Sequence, residues 1–270
     1  MKLGIGTYAF MWSIGFPGVV PAKPMNAFGL LRKAMELGVK VVQYGPNLPL
    51  DSLRPEDLAS LLILAKAEGV SIEIGTQGLE PDHLRDQLKL TERVGSRLLR
   101  TTTEGPDGNA VPLEEMRANI LKIVPALVEH DVFLAIENGR LPASTLADLV
   151  SSANSPNVGI TLDTVNSLVI PEGPEQVADV LSKHVKSLHV KDFIVERLWH
   201  RMGFSVQGRP AGGGQLNVPR LLEGLVNSAP ESNAILELWP PEQRKLEDTL
   251  KLENAWAAES ISYLRRYIAD

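Results

Sequence analysis

The chain of 270 residues contains no cysteine. That excludes disulfide staples, zinc–thiolate centres and a cysteine nucleophile, so any chemistry falls to Asp, Glu, His, Lys, Arg, Ser or a bound ion. Aromatic residues are scarce, at 5%, and no apolar run approaches the ~18 residues that a membrane span requires. Positive charge is also in deficit. Lys and Arg number 27 against 33 Asp and Glu, a net charge of −6, which is the wrong sign for the basic stripe of a nucleic-acid binder. No GxGxxG or Walker pattern occurs, and no Pro/Ser-rich linker or break in composition divides the chain. Residues 1–270 are therefore expected to form a single domain. At the amino terminus, Lys2 followed by LGIGTYAFMWSIGF superficially resembles a signal peptide, but the stretch is Gly-rich rather than Leu-rich, lacks a small-x-small cleavage site and reads as a strand. A cytoplasmic location is expected.

What remains is the composition of a folded globule, 44% apolar and 22% charged, which excludes a disordered chain or a collagen-like one. Eight short apolar runs stand out: Leu3–Thr7, Val39–Tyr44, Ser71–Gly75, Leu98–Thr102, Val132–Glu137, Val158–Asp163, Val185–His189 and Ala234–Leu238. Most are nearly continuous in apolar residues, as parallel strands covered on both faces are. Segments with apolar residues at helical spacing lie between them, and a long amphipathic stretch from Glu242 to about Ile268 closes the chain. Strands alternating with helices in this number give an α/β fold, either a closed ring or a long open sheet, and the closed (β/α)8 TIM barrel is expected. One connection breaks the rhythm. Lys191 to Leu216 separates the seventh strand from its helix, and an insertion of that length is expected to be a functional loop, with Gly212-Gly213-Gly214 as its flexible hinge.

Active-site groups of such barrels sit at the carboxyl ends of the strands. The last four runs end in ionisable residues: Glu137, Asp163, His189 and Glu237. The first three are 26 residues apart and the fourth follows after 48, one β/α unit each with the long connection inserted in the last. Singly, Asp163 reads as a helix cap and His189 as a hydrogen-bonded core histidine. Glu137 and Glu237 each follow at least three apolar residues, where a desolvated carboxylate is costly unless paired. Three carboxylates converging on one point repel each other and call for a cation. One divalent ion answers that need. Oxygen donors favour Mg2+ or Mn2+ and the imidazole admits Co2+, Zn2+ or Fe2+, so Mn2+ is the first choice.

The segments AIEN, TLDT, LHVKD and LELW, in this order within an eight-strand pattern, resemble the xylose-isomerase-like barrel superfamily of sugar isomerases and epimerases, over nearly the whole chain. The most specific parts are His189-Val190-Lys191-Asp192 and the order of the ligands. The resemblance to ketose 3-epimerases implies one divalent ion held by Glu137, Asp163, His189 and Glu237, with the two glutamates also acting as an acid–base pair on opposite faces of a sugar. Two departures limit it. Epimerases of this kind often carry a histidine three residues after the Asp ligand, where this chain has Asn166, which binds substrate but shuttles no proton. Nucleases resembling endonuclease IV need further histidines after strands three and four, and this chain ends those strands in Gly75-Thr76-Gln77 and Thr101-Thr102-Thr103.

These residues lead to the expectation of a metal-dependent isomerase or epimerase acting on a ketose or keto-sugar derivative through an enediolate, with Glu137 and Glu237 as base and acid. If the bond broken is C–COO⁻ rather than C–H, no base is needed, and a lyase, either decarboxylase or dehydratase, is the competing reading. A sugar-binding barrel without turnover is the third. Substrate contacts are expected from Asn166, Lys191 and Asp192, and from Arg100, Arg197 and Arg209, which suit a carboxylate or phosphate. His200 in the long connection is a candidate lid residue, and Tyr8 and Trp12 candidate walls of the pocket, with Gln43 and Tyr44 in reach of it. His83, His130 and His184 read as surface or capping residues. The partner is a small carbohydrate, with no nucleic acid and no membrane. Homodimers or tetramers are common for barrels, and nothing in the sequence marks an interface.

Overall fold

The computed structural model describes residues 1–268, so the last two residues of the expected 1–270 span lie outside the described residues. The strands are β1 (Leu3–Gly6), β2 (Val41–Tyr44), β3 (Ser71–Gly75), β4 (Leu98–Thr101), β5 (Phe133–Glu137), β6 (Val158–Asp163), β7 (Val185–Val190), β8 (Asp192–Arg197), β9 (Phe204–Arg209) and β10 (Asn233–Leu236). Eight of them close a parallel barrel in the order β1-β10-β7-β6-β5-β4-β3-β2. The helices are α1 (Met11–Ile14), α2 (Ala27–Leu37), α3 (Pro55–Ala67), α4 (Pro81–Arg93), α5 (Leu113–Glu129), α6 (Ala143–Ser152), α7 (Pro174–Leu181), α8 (Val218–Ser228) and α9 (Leu246–Leu264). The chain folds as a TIM barrel.

Local signals place these elements. Proline opens α3, α4 and α7, where the missing N–H costs nothing because the first turn has no acceptor for it. Asn26 caps α2 by accepting from the Gly29 N–H, and Gly38 ends that helix in the left-handed conformation. Among the described residues, no helix is long and apolar enough to cross a membrane.

Register divides each strand into two faces. One face carries Leu3, Ile5, Val42, Ile72, Ile74, Leu99, Leu134, Ile136, Leu162 and Leu188, which pack with helix residues such as Leu30, Leu61, Leu84, Ile120 and Leu146 into one apolar core. The other face is different. In-register neighbours Gln43 and Glu73, Arg100 and Ala135, Glu137 and Thr161, and Asp163 and His189 lie on it. The interior of this barrel thus carries a row of buried polar side chains, Gln43, Glu73, Arg100, Glu137, Thr161, Asp163 and His189. Space inside it is made by Gly4 and Gly6 of β1. A Cβ on Gly4 would stand 2.6 Å from the Val41 carbonyl oxygen, and one on Gly6 would press on Ile235 and Glu237.

The connection from Lys191 to Leu216, expected as a flexible loop, is instead an antiparallel hairpin of β8 and β9 with Asp192 opposite Arg209 and Arg197 opposite Phe204. The glycine cluster at its base is not a free hinge. Asp192 is buried, and its carboxylate accepts the backbone N–H groups of Phe193, Gly212, Gly214 and Leu216. A side chain on Gly214 would collide with that carboxylate, and Gly212, at φ +83°, lies against the Tyr263 ring. Alternation between two exposed strands is weak in a segment rich in Arg and Gly, which is why the hairpin was not legible in the sequence.

Candidate functional site

At the carboxyl end of the barrel, β5, β6, β7 and β10 deliver Glu137, Asp163, His189 and Glu237 to one point. All four are buried, at 4%, 1%, 0% and 2% exposure respectively. Glu137, Asp163 and His189 offer ligand atoms within 4.8 Å of one another. His189 Nδ1 is 3.2 Å from Glu137 Oε2, 3.2 Å from Glu237 Oε1 and 4.0 Å from Asp163 Oδ2. Glu237 joins this group of three through its contact with His189 Nδ1.

Backbone hydrogen bonds hold the ends of the strands. Asn138 accepts from the Asp163 N–H at 2.7 Å and donates to the Asp163 carbonyl at 3.0 Å, stitching β5 to β6. Thr164 Oγ1 accepts from the Lys191 N–H and donates to the Lys191 carbonyl, which fixes the chain after β7. The Asp163 Oδ1 accepts from the N–H groups of Val165 and Asn166 and turns the chain after β6, while Oδ2 faces the cluster.

Two cations stand among the carboxylates. Arg100 donates through Nε to Glu137 Oε2 at 2.5 Å and through a terminal nitrogen to the Thr76 carbonyl. Lys191 Nζ is 2.8 Å from Asp163 Oδ2, 2.8 Å from Glu237 Oε2 and 3.2 Å from Asn166 Oδ1. Asn166 in turn donates to Glu137 Oε1 at 2.6 Å. Burial pushes the Glu137 carboxyl up, but Arg100, His189 and Lys191 overcome it and hold the group well below the usual carboxylate range. Glu237 is likewise lowered, burial being outweighed by Lys191 and His189. Asp163 goes the other way, raised by burial against the pull of Lys191. His189 is raised because Glu237 and Glu137 outweigh its burial.

The fit to a metal follows from the hydrogen bonds. His189 Nε2 lies 2.8 Å from Gln43 Oε1, an atom that only accepts, so Nε2 carries the proton in the neutral ring. Nδ1 is then a bare lone pair facing two carboxylate oxygens, and it is buried with no hydrogen-bond partner. Three carboxylates also face only two permanently charged cations, and the excess of negative charge raises His189 toward its protonated form. Both defects are cured by one divalent cation with oxygen and imidazole donors.

Two cavities meet at Asn166. One, of about 350 Å3, has mostly apolar walls that include Tyr8, Trp12, Phe16 and Trp239, with Lys191 at its floor. The other, of about 300 Å3, is polar and lined by Thr102, Thr103, Glu104, Glu137 and Arg140. Trp12 is held in place by its Nε1 donating to the Pro240 carbonyl and by its backbone N–H donating to Glu253 Oε1.

Tyr8, Trp12, Asn166 and Lys191 all line the apolar cavity. Other expected contacts are corrected. Arg100 is buried under Glu137 and committed to it, so it is not free to meet a substrate anion. Asp192 holds the hairpin base rather than the pocket. Arg197 and His200 are exposed toward the tip of the hairpin and Arg209 pairs loosely with Glu196; none of the three lines either cavity. Tyr44 turns outward and donates to the Ala27 carbonyl. His83 meets Thr76 Oγ1, His130 ends α5 beside Glu92, and His184 closes a short helical turn before β7. Sequence reasoning missed Arg140, Thr102 and Trp239 on the cavity walls, and Glu73 and Asn233 in the interior. A signal for Glu73 was present, since SIEIG sets a carboxylate in an apolar strand as FLAIE does.

Comparison with known proteins identifies the family of this fold. Residues 31–267 match the family model of the xylose isomerase-like TIM barrel. A curated relative, 3-oxo-isoapionate decarboxylase of Pectobacterium atrosepticum, is 29% identical over 265 residues, spanning 98% of this chain and 95% of the relative. Among solved structures, D-psicose 3-epimerase of Clostridium cellulolyticum H10, with D-tagatose, superimposes with a TM-score of 0.75 at 13% identity over 99% of both chains. A xylose isomerase-like TIM barrel protein of Mycobacterium smegmatis, in complex with magnesium, gives 0.74 at 14% identity over 98% of this chain and 96% of that one. At such identities the structural likeness is one of fold. The family match, covering most of the barrel and all four converging residues, makes this chain a member of the xylose isomerase-like TIM barrel family.

Proposed function

We propose that this protein is a divalent-metal-dependent lyase that decarboxylates a 3-oxo sugar acid. The observation that carries the proposal is the state of Glu137. Both of its oxygens are occupied, Oε2 by Arg100 and Oε1 by Asn166. An epimerase needs two carboxylates free to take and return a proton on opposite faces of the substrate, and here Glu137 is tied to a guanidinium while Glu237 is tied to Lys191. Loss of a carboxylate from a 3-oxo acid needs no base. The full-length likeness to a decarboxylase of a 3-oxo sugar acid supports the same reading.

Glu137, Asp163, His189 and Glu237 would hold the ion, with Mn2+ proposed first and Mg2+, Co2+ or Zn2+ as alternatives. When bound, it supplies Lewis acidity that draws electron density toward a carbonyl oxygen. The protein does the rest. The apolar walls of Trp12, Phe16 and Trp239 exclude water from the substrate's carbon skeleton. Lys191 and Asn166 project into the cavity where oxygens of the substrate bind, and Lys191 is charged because its carboxylate neighbours outweigh its burial. The C–C bond to the carboxylate breaks, CO2 departs, and its electron pair moves toward the oxo oxygen. A proton then returns to carbon, with Lys191 and Tyr8 the proton-bearing groups lining that cavity.

An isomerase or epimerase is the second reading, favoured by Glu137 Oε2 and Glu237 Oε1 facing each other across His189 Nδ1. Incubation of the Mn2+-loaded protein in D2O with 3-oxo sugar acids and, separately, with ketoses decides between them. Release of CO2 with one deuterium gained at carbon is the expected result. Deuterium exchange into a ketose with the skeleton intact, and no CO2 from any 3-oxo acid, would overturn the lyase reading.

A further inference from the structure

Below the metal ligands, the barrel interior holds a chain of side chains that no step above uses. Glu73 of β3 is buried inside the barrel and has no cationic side chain bonded to it. Its Oε2 accepts from Gln43 Nε2 at 3.0 Å and its Oε1 accepts from Asn233 Nδ2 at 2.7 Å. Gln43, with its NH2 group taken by Glu73, has only its carbonyl oxygen to turn toward His189, and Oε1 lies 2.8 Å from His189 Nε2. Gln43 is buried, at 3% exposure.

We infer that Glu73 is a positioning residue for the metal centre: by fixing the orientation of the Gln43 amide, it selects the tautomer of His189 and leaves the Nδ1 lone pair available to the ion. The inference rests on reading Glu137, Asp163, His189 and Glu237 as a metal site. The alternative orientation shows what is at stake. A Gln43 amide turned over would offer its NH2 to His189 Nε2, which would have to accept. The ring proton would move to Nδ1, the atom 3.2 Å from both Glu137 and Glu237, and the lone pair would point away from the site. A buried amide has no intrinsic preference between these arrangements. An acceptor-only group at its far end supplies one, and Asn233 keeps that group in place from the other side. Partners of this kind orient metal-binding imidazoles and their loss weakens binding by about 10- to 100-fold.

The substitution Glu73→Gln tests it with no change of volume. The new amide can donate to Gln43 Oε1 and turn the Gln43 amide over. The expected result is Mn2+ binding weakened about 10- to 100-fold, by calorimetric titration. In metal-free protein at a pH where His189 is neutral, 15N-histidine NMR should show the proton on Nε2 in the wild type and on Nδ1 in Glu73→Gln. Exchanging the pair, Glu73→Gln with Gln43→Glu, restores an acceptor opposite Nε2 and a donor below it, and should recover most of the lost affinity. A merely structural role for Glu73 predicts no such recovery. Wild-type affinity in Glu73→Gln, an Nδ1 proton in the wild type, or a double variant no better than the single one would each overturn the inference. The wild-type tautomer needs no variant to fold, and the wild-type titration by itself tests the metal reading on which the inference rests.

Discussion

Glu137 and Glu73 occupy the same barrel interior, are equally buried and differ in everything that follows. Glu137, at the mouth, lies against Arg100, and with His189 and Lys191 nearby its carboxyl is held far down despite its burial. Glu73, two strands away and deeper, has only the amides of Gln43 and Asn233 as hydrogen-bond partners, and burial pushes its carboxyl up beyond what they pull back. Residue type and burial therefore do not decide the state of a carboxylate. The charge of the partner does. The mouth holds Glu137 and Glu237 ionised while burial raises Asp163 beside them, and the deeper layer is built to orient a ring.

The comparison is broken most severely by giving Glu137 the surroundings of Glu73. Arg100→Met removes the guanidinium and leaves a buried carboxylate without its partner, for an expected loss of about 3–5 kcal/mol of stability in the metal-free protein, read by denaturant unfolding. Adding Glu137→Gln to Arg100→Met should recover much of that loss, because no charge is then left unpaired. If Arg100→Met alone unfolds like the wild type, Arg100 is not what holds Glu137.

A smaller effect is expected from pH. Glu73, Asp163 and Glu253 are all raised by burial, Glu253 to about 7. A carboxyl raised in the fold favours the protonated state there, so its stabilising share is present at low pH and lost as pH climbs through the folded value. His189, also raised, has the same sign. Glu137 and Glu237, which are lowered, act in the opposite sense, but only at acid pH, below the ordinary carboxylate range. The metal-free protein should therefore melt at a lower temperature at pH 8 than at pH 5.5. The gain in melting temperature on adding Mn2+ should grow over the same interval, since the ion must displace the proton from His189 Nδ1. Metal stabilisation that shrinks with rising pH would contradict a His189 ligand.

The smallest effect belongs to the hairpin. Trp199 and Met202 are 92% and 90% exposed, and their neighbours Arg197 and His200 line neither cavity. Arg197→Ala and His200→Ala should leave turnover and KM within about twofold, a free-energy change no larger than that of an ordinary surface substitution. A large rise in KM would restore the hairpin as a lid.

Much of this molecule was legible in the sequence because two patterns were strong. Buried parallel strands read as continuous apolar runs, and each of the eight falls within a residue or two of its place in the barrel. Charged residues at the ends of those runs, such as Glu137 after FLAI, stand out because desolvation makes them costly anywhere but in a site. The rest depended on contacts between distant segments. Arg100 in LLRT signals that an anion is near, but only the register of β4 against β5 makes that anion Glu137 rather than a substrate. Asp192 follows a ligand in sequence, yet it is turned to the backbone of residues some twenty positions later. Arg140 lies just beyond a predicted strand end, in a turn whose path the strand pattern does not fix.

The proposed chemistry requires a single divalent ion held by Glu137, Asp163, His189 and Glu237. Titration of metal-free protein with Mn2+, following the free ion by electron paramagnetic resonance, tests this directly. One equivalent should be taken up per chain by the wild type and lost in Asp163→Asn or His189→Ala, with both variants still folded by circular dichroism. No uptake by the wild type, or undiminished uptake by both variants, would contradict it.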